Sequence, residues 1–184
     1  MSIEELTKVL EVPNNPVEIQ GGKSWAEVES EIASRLPDDY KAYIQQYGTG
    51  YIADYLVIWN PFASLETVNL ITQLDLRLKD IRRAKDNYRE SFGMEFPPYP
   101  IFPEEGGILP FGATINGHII FWKTTQKPNN WTIVISKSRS TKFEEHVMNT
   151  TEFLTNLMLR RLENTAMYGP DFEPKVGFVP MKPK

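Results

Sequence analysis

Residues 34–62, SRLPDDYKAYIQQYGTGYIADYLVIWNPF, constrain the fold more than any other part of the chain. They predict a short helix, a glycine break and a buried strand in immediate succession. Leu36-Pro37 opens the helix, because proline's fixed φ suits a first helical turn. Asp38 and Asp39 follow where the helix dipole favours negative charge. Tyr40, Tyr43, Ile44 and Tyr47 recur at helical spacing and make one apolar face. Gly48 stands where a left-handed C′ glycine stops a helix, and Gly50 adds a second flexible point. Tyr55-Leu56-Val57-Ile58-Trp59 is a continuous apolar, aromatic and β-branched run, hence a well-buried strand. Asn60-Pro61 ends it.

The flanking sequence predicts more helices around more strands. Residues 1–12 carry Ile3, Leu6, Val9 and Leu10 on one helical face, and Pro13 and Pro16 break the pattern. Ser24-Trp25-Ala26-Glu27 reads as a capping box, opening a helix that buries Trp25, Val28 and Ile32. A long helix is expected over 65–92, with Gly93 as its stop. Its charges, among them Lys79, Arg82, Arg83, Lys85 and Arg89, alternate with Asp75, Asp80, Asp86 and Glu90. That pattern is a solvated face with Asp75–Lys79 and Arg82–Asp86 pairs.

Residues 96–103 hold too many prolines for helix or central strand. Asn116-Gly117 predicts a type I′ hairpin turn, followed by an apolar strand through Phe121-Trp122. A further strand is expected over 131–135 and an edge strand over 143–147. Asn149, with Glu152 three residues on, caps a last helix. The proline-bearing residues 163–184 read as a loop or surface strap. Helices flanking a run of strands, without regular alternation, give an α+β fold. The expected plan is a single domain over 1–184, with a core at about 25–162, an N-terminal extension over 1–24 and a C-terminal tail.

The order and spacing of the 34–62 segment resemble the SUKH superfamily, which includes the yeast cell-wall assembly regulator and many bacterial immunity proteins. Gly107-Ile-Leu-Pro-Phe-Gly112, the Asn116-Gly117 hairpin and Trp131 before an apolar strand look like the second half of that family. The resemblance implies a mainly antiparallel sheet flanked by helices. It also implies a non-enzymatic role: binding and blocking a toxin, often a nuclease. The alternative it implies is a regulatory scaffold of the cell-wall regulator type.

The chemistry of the sequence fits binding better than catalysis. With 184 residues and 41% hydrophobic content the chain can build a real core. It has no cysteine, which excludes disulfides, thiolate zinc sites and cysteine nucleophiles. His118 and His146, the two histidines, read as partly exposed surface residues with nothing to bring them together. Gly48-Thr49-Gly50 and Gly106-Gly107 lack the spacing of phosphate loops. No cofactor or metal is expected. The net charge of −4 argues against general nucleic-acid binding and suits a basic partner protein. No signal peptide or membrane span is evident, so a cytoplasmic location is expected. The candidate partner contacts are Asp54 and Tyr55 at the strand entrance, Glu104 and Glu105 in the acidic loop, and Asn130 and Trp131 at the later turn. Trp25, Trp59, Trp122 and Trp131 are all assigned to the core or its edge, with partial exposure as interface anchors the alternative for Trp122 and Trp131, which flank a turn.

Overall fold

The helix starts at Trp25, Leu70 and Thr150 form where the sequence supplies a cap. In the computed structural model, which describes residues 2–181, Ser24 accepts from Glu27 N–H while the Glu27 carboxylate accepts from Ser24 N–H at 2.7 Å. Asn149 accepts from Glu152 N–H at 2.8 Å. Asn69, unread in the sequence, caps the long helix by accepting from Thr72 N–H at 3.2 Å. The resulting elements are α1 (Ile3–Leu6), α2 (Trp25–Ile32), α3 (Asp38–Tyr47), β1 (Gly50–Ile52), β2 (Leu56–Ile58), α4 (Leu70–Phe92), β3 (Ile108–Thr114), β4 (Ile119–Lys123), β5 (Thr132–Ser136), β6 (Phe143–His146), α5 (Thr150–Met158) and β7 (Phe178–Pro180). Single 3-10 turns span Glu66–Val68, Pro128–Asn130 and Pro174–Val176.

The seven strands form one antiparallel sheet in the order β6-β5-β4-β3-β2-β1-β7. This is the expected α+β fold. Alternate residues of the central strands serve two cores. Leu109, Phe111, Ile120, Trp122, Ile133 and Ile135 join the larger core with α1, α3 and α5. Ile108, Phe121 and Val134 point the other way, toward Ile81 of α4 and Tyr99. The larger core is aromatic: Phe111 stacks on Trp122 at 4.1 Å, and Tyr40 meets Trp122 edge-on at 4.9 Å. All four apolar positions of α3 are buried as the pattern predicts.

Three buried polar side chains tie distant segments together. Tyr40 Oη donates to Trp59 O and Tyr47 Oη to Leu10 O, each at 2.6 Å. Asn60, fully buried, donates from Nδ2 to Glu18 O and to Thr49 Oγ1 and accepts from Phe62 N–H at Oδ1. Three segments thereby meet at Asn60, two residues beyond the end of β2.

Several turns differ from expectation. Pro37 sits at the N-cap of α3, one position before the first turn. Gly48 does follow α3, but with φ 66° and ψ −143°, outside the left-handed helical region. A Cβ there would lie 1.9 Å from Val17 O, so the position needs glycine both for its backbone and for its space. At the β3–β4 hairpin only Gly117 has positive φ. Gly117 N–H bonds to Thr114 O, and Thr114 N–H to His118 O. The loop is therefore three residues, a type I turn followed by a left-handed glycine, instead of the two-residue type I′ turn. The positive-φ pair occurs instead at Ala53 (φ 56°) and Asp54 (φ 49°), in the turn closed by Tyr55 N–H to Ile52 O.

The chain ends differ too. Residues 163–181 are more than a strap: Met167 and Phe172 are buried, and β7 pairs with β1 to become a sheet edge. Leu6 and Leu10 of the N-terminal segment are also fully buried. Asp75 pairs with Lys79 at 2.7 Å as expected. Arg82 does not pair with Asp86; its guanidinium donates to Phe102 O at 2.9 Å.

Candidate functional site

The end of the sheet where β3 begins and β4 ends carries most of the residues selected from the sequence. The loop before β3 is drawn tight by its own backbone. Glu104 N–H bonds to Ile101 O, Gly107 N–H to Glu104 O, and Thr124 N–H to Gly107 O. Thr124 Oγ1 also donates to Gly107 O at 2.8 Å. A Cβ on Gly107 would lie 2.6 Å from both Glu104 O and Phe102 N, so a larger residue would open the loop. The tightened loop leaves Glu104 and Glu105 at its tip, both exposed.

Beside them the β4–β5 connection is equally fixed. Trp131 Nε1 donates to Thr125 O at 2.8 Å, and Asn130 N–H bonds to Lys127 O. Asn129 and Asp38 exchange two hydrogen bonds, Asp38 N–H to Asn129 Oδ1 at 2.9 Å and Asn129 Nδ2 to Asp38 Oδ2 at 2.8 Å. That amide, helped by Lys41 and Arg35, holds the Asp38 carboxyl below its ordinary pKa. The N-terminus of α3 thus anchors the loop that carries Asn130.

Between the two loops lies a shallow hollow of about 310 Å³, lined by Ser34, Phe102, Glu104, Glu105, Thr125 and Trp131 among others. Glu104, Glu105 and Trp131 therefore meet at one place, with exposed Asn130 beside Trp131. Trp131 is 3% exposed. It forms a wall of the hollow and holds a loop; it is not a protruding anchor. Trp122 is fully buried, with Nε1 donating to Thr150 Oγ1 at 3.0 Å.

Asp54 and Tyr55 do not join this group. They lie at the opposite end of the sheet, with the β3–β4 and β5–β6 turns. Asp54 is exposed there. Tyr55 is fully buried, 5.7 Å from Phe172 ring to ring. The residues after α5 cover it, so its side chain is removed from any partner surface. Nothing in the sequence near Tyr55 signals that cover, which is contributed from more than a hundred residues downstream.

The histidines are more enclosed than expected. His118 Nδ1 accepts from Ser138 N–H at 2.9 Å, and burial lowers its pKa. His146 is 10% exposed, packed against Phe153 at 5.8 Å and 3.6 Å from Glu144. Among the described residues no group of three His, Asp or Glu side chains is arranged to hold a metal ion. No helix among them is long and apolar enough to cross a membrane.

A larger hollow, about 510 Å³, lies beside Gly21-Gly22-Lys23 and Phe62. Gly22-Lys23-Ser24 spells the end of a phosphate loop and leads into α2. The Glu27 carboxylate already occupies that helix N-terminus, accepting from both Ser24 N–H and Ser24 Oγ at 2.7 and 2.8 Å. Lys23 is paired with Glu31 at 2.6 Å. An anion would meet a carboxylate there.

Comparison with curated proteins and with solved structures finds no match. The SUKH family model described as SMI1-KNR4 cell-wall matches residues 22–154, well over half of the chain. The match begins just before the α2 capping box and ends within α5, so it takes in α3, both sheet-end loops and six of the seven strands. On that extent the chain belongs to the SUKH superfamily.

Proposed function

We propose that this protein is an immunity protein that binds a cognate toxin in the cytoplasm and blocks it by protein–protein contact, without catalysis. The toxin is a basic domain, with a nuclease the best fit to an acidic inhibitor. The observation that carries the reading is the meeting of Glu104, Glu105 and Trp131, with Asn130 alongside, in one hollow on two hydrogen-bonded loops. A rigid surface loses little conformational freedom on binding, and exposed carboxylates speed encounter with a basic partner. Asp54, at the other end of the sheet, serves as a secondary contact or as none.

The decisive experiment is co-expression with candidate toxins from neighbouring genes, followed by co-purification. Rescue of growth and a stable complex are expected for the cognate toxin. Glu104→Lys combined with Glu105→Lys should weaken that complex while leaving the melting temperature nearly unchanged. Failure of rescue against every adjacent toxin removes the reading. An unchanged dissociation constant in the double variant removes this loop from the interface.

The family's cell-wall description favours a second reading, a non-catalytic scaffold for signalling partners. Such scaffolds collect partners through long polar extensions. The segments on either side of the matched region pack into the core through Leu6, Leu10, Met167 and Phe172, so they are not themselves such extensions.

A further inference from the structure

The other end of the molecule carries a second surface, of opposite charge. The last turns of α4, Phe96 and the β5–β6 turn enclose an open groove of about 680 Å³. Its apolar side is part of an aromatic row. Phe92, Tyr88, Phe96, Phe143 and Tyr99 follow one another with ring centroids 5.5, 4.5, 5.8 and 5.7 Å apart. Phe92, at the free end of the row, is 67% exposed. An exposed aromatic continuous with a groove marks a binding surface more than a core.

The polar side is the turn Lys137-Ser138-Arg139-Ser140-Thr141. No Asp or Glu lines the groove. Lys137 is held by Glu144 at 2.9 Å. Arg139 is exposed and has no ion-pair or hydrogen-bond partner among the described residues. Its backbone has φ 54°, which turns the chain tightly at the tip. The turn is held in place because Ser138 N–H donates to His118 Nδ1 and Lys137 N–H to Lys142 O. The groove therefore offers a free guanidinium and several hydroxyls facing an aromatic wall.

We propose that this groove docks an acidic peptide segment of a partner protein, with an aromatic or aliphatic side chain as its anchor. The anchor lies against Tyr88 and Phe96, and a carboxylate pairs with Arg139, whose planar fork suits it. A nucleic acid is disfavoured, because the groove supplies two cations on a chain of net charge −4. The surface is separate from the Glu104–Glu105 hollow and prefers a partner of the opposite sign.

The test is fluorescence anisotropy of the full chain with a fluorescein-labelled peptide of Glu and Asp residues around one Phe and one Leu. Saturable binding that weakens in high salt is expected. Arg139→Glu should lower affinity about tenfold and Phe92→Ser about threefold, both without a change in melting temperature. Arg139→Lys should retain part of the affinity. Glu104→Lys with Glu105→Lys should leave peptide binding unchanged, which separates this surface from the toxin reading. The proposal is overturned if the peptide does not bind, or if a version with Lys in place of its acids binds equally. It is overturned as well if a single-stranded oligonucleotide of equal charge binds as tightly, or if Arg139→Glu has no effect. Light scattering that finds a dimer broken by Arg139→Glu would assign the groove to a second copy of the chain and also overturn it.

Discussion

Asp39, in the first turn of α3, accepts a hydrogen bond from the backbone N–H of Thr151 in the first turn of α5, at 2.8 Å. Its other oxygen accepts from Tyr40 N–H at 2.9 Å. One carboxylate thus serves two helix N-termini. Burial raises its pKa, against the pull of these hydrogen bonds. Asp39→Ala leaves buried donors unpaired and should cost about 2–3 kcal/mol, read as a fall in the urea midpoint at constant slope. A loss below about 0.5 kcal/mol would mean that packing alone holds α3 on α5.

Two tyrosines of α3 separate hydrogen bonding from burial. Tyr47 Oη donates to Leu10 O, whereas the equally buried Tyr43 Oη has no partner among the described residues. Tyr47→Phe should destabilise by about 1–2 kcal/mol, because Leu10 O loses its donor. Tyr43→Phe should be neutral or stabilising by up to about 1 kcal/mol. Equal losses in both would show that Tyr43 Oη is satisfied in solution.

His118 makes stability depend on pH near neutrality. Burial lowers its pKa, with Lys137 acting in the same direction and Glu144 opposing. Its Nδ1 must stay unprotonated to accept from Ser138 N–H. The unfolded chain therefore binds the proton at higher pH than the folded one. Stability should be complete above pH 6.5, the ordinary value, and fall as the pH drops through it toward the lowered folded value. His118→Asn, which keeps an acceptor near the Nδ1 position, should flatten the stability curve in that window. A wild-type curve already flat there would refute the assignment.

Glu29 acts at lower pH. Burial alone would raise its pKa, but hydrogen bonds from Leu36 N–H at 2.9 Å and from Lys41 at 2.5 Å overcome this and leave it lowered. The contribution is present above the ordinary pKa of 4.5 and is lost as pH falls through the depressed value. Glu29→Gln should weaken the junction of α2 and α3 by about 1–2 kcal/mol at pH 7 and remove that part of the acid transition, as followed by tryptophan fluorescence.

What could be read from the sequence follows how local the cause is. Ser24 and Glu27 make their cap within one turn, and the apolar face of α3 repeats over three turns, so both were legible. The strand over 55–59 announced itself by a run of buried side chains. The Ala53-Asp54 turn was hidden, because neither residue is a usual marker of positive φ. The three-residue hairpin at Asn116-Gly117 is hidden for the converse reason: the dipeptide suits two loop types, and the register of β3 on β4 decides between them. Glu104, Glu105, Asn130 and Trp131 stand out in the sequence by charge and aromatic content. That Glu104, Glu105 and Trp131 line one hollow depends on the Gly107–Thr124 and Trp131–Thr125 hydrogen bonds, which single-chain patterns do not encode. The burial of Tyr55 is not legible because its cover, Phe172, lies in a segment with no strong periodicity.

Pro180, paired with Gly50 on the outermost strand, has no N–H to offer a neighbour. That strand is three residues long, and a Cβ on Gly50 would lie 2.5 Å from Val179 O. At the opposite edge β6 carries Glu144 and Glu145, with Lys123 reaching Glu145 at 2.8 Å. A seven-stranded sheet could recruit further chains at both margins. Here one margin is short and lacks a donor, and the other is charged. Both margins are thereby poor templates for a further strand, so the ladder that β3, β4 and β5 extend stops within one chain.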